Sequence, residues 1–211
     1  MVGGSVPGKE VKERFDAYFL ALGRFMHVFA EVERMMQSVL WIEARVTVDV
    51  ARAVFSGVRI DAAKSFINRV RETKGLREDP ILSRAFAQLT VVESARNQIV
   101  HHGAQFIAGE FTSINHMSAH VPDRLKTIPV PPATLDAMTA DLGVISASLV
   151  AYMMKNALSE PGLEIHGNPN IAISAFQQVA DVPWQYTPPP PPRTPKRPPS
   201  RPQGHRRPPD A

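Results

Sequence analysis

The chain predicts an all-α fold: a helical bundle of four or five helices, followed by a disordered proline-rich C-terminal tail. Three observations carry that reading. Apolar residues recur at three-, four- or seven-residue spacing from about residue 9 to 44, the mark of one long amphipathic helix. Leu135, Met138, Leu142, Ile145, Leu149 and Tyr152 form a second, very regular seam near the end of the folded part. Finally, 11 of the 20 prolines fall between Trp184 and Ala211, which sets that end apart from a packed core.

Taken in order, residues 1–10 read as a flexible leader. The first helix presents Phe15, Phe19, Leu22, Met26, Phe29, Met36 and Val39 as its apolar stripe. Thr47 is a good N-cap for a short helix that stops at Gly57. Asp61 is placed to cap a third helix, with Phe66, Ile67 and Val70 apolar and Gly75 at its end. Asp79-Pro80 is a strong start signal, a cap followed by proline at the first helical position. The helix it opens carries Ile81, Leu82, Phe86, Leu89, Val92 and Ile99, and ends near Gly103. Residues 104–133, with prolines at 122, 129, 131 and 132, read as a long connection holding a short hairpin around Phe106 to Ile114. Thr134 caps the last helix. The bundle thus spans 11–157, with a linker over 158–183, a helical turn at most near Ile173 to Val179, and the tail over 184–211. No internal repeat is visible. The apolar content of the first helix and last seam is more than a small monomer needs, which argues for a dimer.

Composition limits the function classes. There is no cysteine, so disulfide frameworks and thiolate metal sites are excluded and a reducing compartment is suited. The formal charge of +4 is unevenly placed. Arg193, Lys196, Arg197, Arg201, Arg206 and Arg207 against Asp210 give the tail +5, which leaves the body at −1. The body is therefore not a broadly basic nucleic-acid binder. The start lacks the basic-then-apolar pattern of a secretory signal. Phe19 to Val28, read as the most apolar stretch, is too short to span a bilayer. The expectation is a cytoplasmic protein with no membrane partner.

The chemistry concentrates in Arg96-Asn97-Gln98-Ile99-Val100-His101, near the end of the fourth helix. RNA cleavage by its own 2′-OH needs a base for the hydroxyl proton, an acid for the leaving oxygen and a cation for the crowded phosphate. Histidine, with an ordinary pKa of about 6.5, suits either proton role. Arginine stays charged and grips two phosphate oxygens at once. Asn97 can orient either partner without adding charge. On a helix Arg96 and His101 point about 140° apart, whereas Asn97 and His101 share a face. One copy therefore offers a loose constellation, and two copies a compact one. The same residues also admit a purely structural account. Arg96 then pairs with Glu93 on its own helix, and His101 or His102 caps the helix end.

This arrangement resembles the HEPN superfamily, small all-α bundles that carry an R-x4–6-H motif, often R-N-x-x-x-H. The match is Arg96, Asn97 and His101, and His102 also satisfies the looser spacing. The resemblance extends to the long first helix with Phe29-Ala-Glu-Val-Glu33, the glycine after the motif, the irregular connection and the final amphipathic helix. It covers roughly residues 11 to 157. It implies a homodimer whose motif residues line a shared cleft. It further implies a metal-independent endoribonuclease without cofactor, of a kind common in toxin–antitoxin and antiviral systems, where a neutralising protein partner is usual. Many members are instead non-catalytic modules that bind a protein, nucleotide or nucleic acid.

Other motifs are weaker. Gly3 to Lys9 has the form G-x4-G-K, but Glu10 follows and no strand precedes it, so it reads as leader. His116 and His120 are four apart in a segment that does not read as a helix, and no acidic residue stands between them. Glu31 and Glu33 read as a solvated or interhelical pair. There is no G-x-S-x-G. In the tail, Pro192-Arg-Thr-Pro195-Lys-Arg197 has the form of a ligand for aromatic-lined grooves, and a basic arm or a solubilising tail are the other readings.

Overall fold

The computed structural model describes residues 7–115, 125–158 and 182–190. Five helices and a small sheet follow one another as α1 (Pro7–Ala44), α2 (Val48–Phe55), α3 (Ile60–Thr73), α4 (Pro80–His102), β1 (Gln105–Ile107), β2 (Glu110–Ile114), β3 (Thr127–Pro129) and α5 (Pro132–Leu158). The all-α reading holds, with a minor sheet added. The expected turn near Ile173 to Val179, the histidines at 116 and 120 and the Gly3 segment lie outside the described residues, apart from its last residues, 7–9.

The core is a helix layer built around α5. Leu135, Met138, Leu142, Ile145, Leu149 and Tyr152 are all buried, so the seam read from sequence is the centre of the bundle. It packs chiefly against α1 and α4. By length and composition Pro132–Asn156 is also apolar enough to cross a membrane. The most apolar stretch is thus α5 and not Phe19–Val28. Because this seam is covered within the chain, it offers no face to a second copy.

α1 matches its expected bounds, apart from starting inside the supposed leader at Pro7, but not its expected stripe throughout. The buried set is Tyr18, Ala21, Phe25, Phe29, Val32, Met36, Val39 and Leu40. Phe29, Met36 and Val39 of the predicted stripe belong to it. Phe19 is 59% exposed, and Phe15, Leu22 and Met26 are only partly covered. Aromatic or large apolar residues occupy adjacent positions in this half of α1, so two phases of the helical period compete. The buried phase is the one that stacks Tyr18 on Phe111 of β2, with ring centroids 4.0 Å apart and planes 11° from parallel.

Helix ends follow local chemistry. The Asp79 side chain accepts from the amides of Ile81 (3.0 Å) and Leu82 (3.3 Å), with Pro80 next in line. Gly103 closes α4 at φ +67°, donating its amide to the Ile99 carbonyl. Glycine, rather than His101 or His102, therefore supplies that cap. Thr47 precedes α2 as expected, but its side chain makes no capping bond. Asp61 lies in the first turn of α3, whose N-cap is Arg59, and Thr134 likewise lies inside α5.

The hairpin around Phe106 to Ile114 is present as β1 and β2. They pair antiparallel through the two-residue turn Ala108-Gly109, both at positive φ as such turns require. β3, not foreseen, adds to the other edge of β2. The sheet is tied to α4 by Ser113 Oγ, which donates to the Gln98 carbonyl (3.2 Å), and by Gln98 Nε2, which donates to the Lys126 carbonyl (3.3 Å).

The start of the expected tail is part of the fold. Asp141, fully buried on α5, accepts from the amides of Gln185 (2.7 Å) and Tyr186 (3.0 Å) and from Gln88 Nε2 (2.6 Å). Gln88 also donates to the Tyr186 carbonyl (3.1 Å). Arg84 stacks over the Trp184 ring at 4.4 Å and donates to the Val182 carbonyl. Tyr186 is buried, and Thr187–Pro190 are exposed. The boundary at residue 184 is therefore corrected: Trp184 to Tyr186 form a strap across α4 and α5. A buried carboxylate without partners is costly, so this strap and Asp141 need each other. Truncation after Asp181 is expected to destabilise the protein by about 2–4 kcal/mol in urea unfolding. Truncation after Pro190 should stay within about 0.5 kcal/mol of the full chain. Equal stability of the two truncated chains would contradict the strap.

Candidate functional site

The last turns of α4 carry the motif, and the bundle decides which flank faces outward. Leu89, Val92, Ala95 and Ile99 are buried toward the core. This leaves Glu93, Asn97 and His101, each four residues from the next, as a ridge on the outer flank. These three residues, with His102, line an open cleft of about 380 Å³. Thr90, Ser94 and Gln98 complete the α4 wall; Asp61 of α3 closes one side, and Lys126 and Ile128 at β3 close the other. His101 is exposed and His102 half-buried.

Arg96 is elsewhere. Its side chain turns toward α1, with the guanidinium 5.2 Å from the centre of the Phe29 ring. Nη1 donates to Asn97 Oδ1 at 3.1 Å. Nε is buried without a hydrogen-bond partner among the described residues. Arg96 is not among the residues lining the cleft. The angular separation expected from sequence is thus realised: Asn97 and His101 are brought together, and Arg96 touches the site only through Asn97. Among the described residues no carboxylate pairs with Arg96, so the proposed Arg96–Glu93 pair is absent.

Glu93 has a different partner, one that sequence reasoning missed. Lys64 of α3 is buried, and its ammonium donates to Thr90 Oγ1 (2.8 Å) and Glu93 Oε2 (3.2 Å) and pairs with Asp61 Oδ1 (2.7 Å). Burial pushes the Glu93 carboxyl above the ordinary range; Lys64 opposes this and the nearby Asp61 charge adds to it. The hydrogen bond from Lys64 holds Asp61 below the ordinary range. The only sequence hint was a lysine between the apolar positions Ala63 and Ile67 of an amphipathic helix.

A second polar cluster lies at the opposite end of α4. Glu43, buried on α1, accepts from the Tyr152 hydroxyl and from Arg71 Nη1 (3.3 Å), with Lys74 Nζ 3.8 Å from its other oxygen. Burial and the Glu43 charge push the Tyr152 hydroxyl above the ordinary phenol range. This cluster ties α1, α3 and α5 together. It borders a larger cavity, about 630 Å³, whose wall includes Arg71, Arg77, Leu82 and Phe86. Arg71 donates there to Glu43 and Tyr152 from Nη1 and to the Arg77 carbonyl from Nη2, so both terminal nitrogens are already engaged. We place the candidate site at the smaller cleft, where proton-transfer and orienting groups converge. Glu31 sits 4.0 Å from His27 on the surface and takes no part in either cluster. Among the described residues no three histidine or carboxylate side chains come together as a metal site requires.

The two carboxylates predict opposite pH behaviour. The raised Glu93 pKa favours the protonated folded form, so its stabilising contribution is present below about pH 4.3 and is lost as pH rises. The lowered Asp61 pKa gives a contribution present above about pH 3.9 and lost as pH falls. In urea unfolding, wild type should therefore lose ground to Glu93→Gln as pH is raised from 4 to 7. It should lose ground to Asp61→Asn as pH is lowered from 5 to 3. A pH-independent difference in either pair would contradict the assignment.

Comparison with family models, with curated proteins and with solved structures finds no match to this chain.

Proposed function

We propose that the chain is an HEPN-like, metal-independent endoribonuclease. The observation that carries this reading is the ridge of Glu93, Asn97 and His101 on an open cleft at the end of α4, with Arg96 bonded to Asn97 from behind.

In the proposed reaction the 2′-oxygen of the substrate attacks the adjacent phosphorus. A base takes the 2′-OH proton, the bond from phosphorus to the 5′-oxygen breaks, and an acid protonates that oxygen. The products are a 2′,3′-cyclic phosphate and a 5′-hydroxyl. His101 is the proton-transfer group. Asn97 orients the phosphate, and Arg96 fixes the Asn97 carboxamide, so that Arg96 is a positioning residue in a single copy. Among the described residues His101 is the exposed imidazole of the cleft, which leaves the opposite proton transfer to a second copy. We therefore place the homodimer contact at the exposed end of α4, where Val100 stands 46% exposed beside the motif. Of the toxin, defence and neutralising-partner associations the resemblance implies, none is needed for this chemistry.

A second reading, a non-catalytic binding module, is favoured by one specific observation. The permanent cation of the motif is held on Phe29 rather than in the cleft, whose wall carries two carboxylates. Cleavage of single-stranded RNA with chelator present separates the two. The ribonuclease reading expects His101→Ala to lower the rate by about 10²-fold or more. Arg96→Ala should lower it by about 10-fold, through the loosened Asn97. Unchanged cleavage in both variants would overturn the assignment, and retained RNA binding without cleavage by wild type would favour the binding module.

A further inference from the structure

We infer that Lys126 is the residue that contacts the RNA phosphate in the His101 cleft, in the role the motif would otherwise give to Arg96; this rests on the ribonuclease reading above. Charge is the first argument. The ionisable residues on the cleft wall other than histidine are Asp61, Glu93 and Lys126. Lys64 stands behind the two carboxylates and is bonded to both. Arg96 is stacked on Phe29. A phosphodiester entering between Asn97 and His101 would otherwise meet two carboxylates whose one bonded cation, Lys64, is already engaged by both, and Lys126 is the cation left on the wall to meet it.

Placement is the second argument. Lys126 begins the return of the chain into β3, and its backbone is fixed on both sides. Its amide donates to Asn115 Oδ1 (2.6 Å), and its carbonyl accepts from the Asn115 amide (3.3 Å) and from Gln98 Nε2 (3.3 Å). Gln98 is the neighbour of Asn97 on α4, so one helical turn sets both the orienting amide and the position of the lysine. Among the described residues the Lys126 ammonium has no ion pair or hydrogen bond, and the side chain is exposed. A lysine acts as a point charge and needs no planar fork geometry, which suits a flexible single strand. The strand tie at Gln98 thus gives the small sheet a purpose: it carries a cation to the outer flank of α4.

The test uses the full chain, with a single-stranded RNA for cleavage and its fully 2′-O-methylated counterpart for binding, over a series of salt concentrations. Lys126→Ala is expected to lower kcat/KM by about 10- to 100-fold. Most of the loss should lie in KM, and Lys126→Arg should restore most of it. The dependence of binding on salt should flatten by about 0.7 in log–log slope, the share of one phosphate contact on a single strand. His101→Ala should instead lower kcat and leave that slope unchanged. If Lys126→Ala keeps the wild-type KM and slope while His101→Ala is inactive, the inference is overturned and the ribonuclease reading stands. If wild type binds but does not cleave, the ribonuclease reading fails; the slope of Lys126→Ala then still decides whether Lys126 meets phosphate.

Discussion

The burial of the α5 seam constrains everything else in this molecule. Six side chains from Leu135 to Tyr152 fill the space between α1 and α4, and that packing sets how α4 is rotated. With Leu89, Val92 and Ile99 turned inward, Asn97 and His101 are carried to the outer flank, and Glu93 one turn earlier is set against Lys64 of α3. The same rotation directs Arg96 toward α1 and Phe29. The geometry of the candidate site is therefore a consequence of core packing, not of contacts within the motif. Removing a buried leucine from such a seam costs about 2–5 kcal/mol, so the rotation is firmly held.

Polar groups inside this core hold the pieces that the seam does not reach. Asp141 lies within the seam sequence but points at the strap, where backbone amides and Gln88 satisfy it. Glu43 does the same at the other end, joining α1 to Arg71 of α3 and Tyr152 of α5. At the cleft, Lys64 joins α3 to α4 through Glu93 and Thr90. Each is a buried charge with named partners, the condition under which burial is tolerated.

Much of the helical frame was legible because its signals are local. Asp79-Pro80 and Gly103 mark both ends of α4, and the seam declares the inward face of α5. The first half of α1 was not, because its choice between two apolar phases is made by Phe111, 93 residues beyond Tyr18. β3 is three residues, one of them Pro129, and becomes a strand only because β2 offers it an edge. The strap was hidden by composition: a proline-rich stretch reads as unpacked, although Trp184 and Tyr186 are poor residues to leave in water. An acidic residue inside an otherwise apolar seam, Asp141, was the available clue. At the site, helical spacing alone places Asn97 and His101 on one flank without Arg96. The parts supplied by tertiary structure, Lys64 and Lys126, had no signature beyond an ill-placed lysine and a lysine in a loop.

The central claim is that the His101 cleft cleaves RNA through the substrate's own 2′-hydroxyl. The most direct measurement is cleavage, with chelator present, of an RNA oligonucleotide carrying one 2′-deoxy nucleotide at a position cut in the all-ribose strand. The account predicts that cleavage disappears at that linkage alone, and that the other cuts end in a 2′,3′-cyclic phosphate. Cleavage at the 2′-deoxy linkage at the all-ribose rate would contradict it.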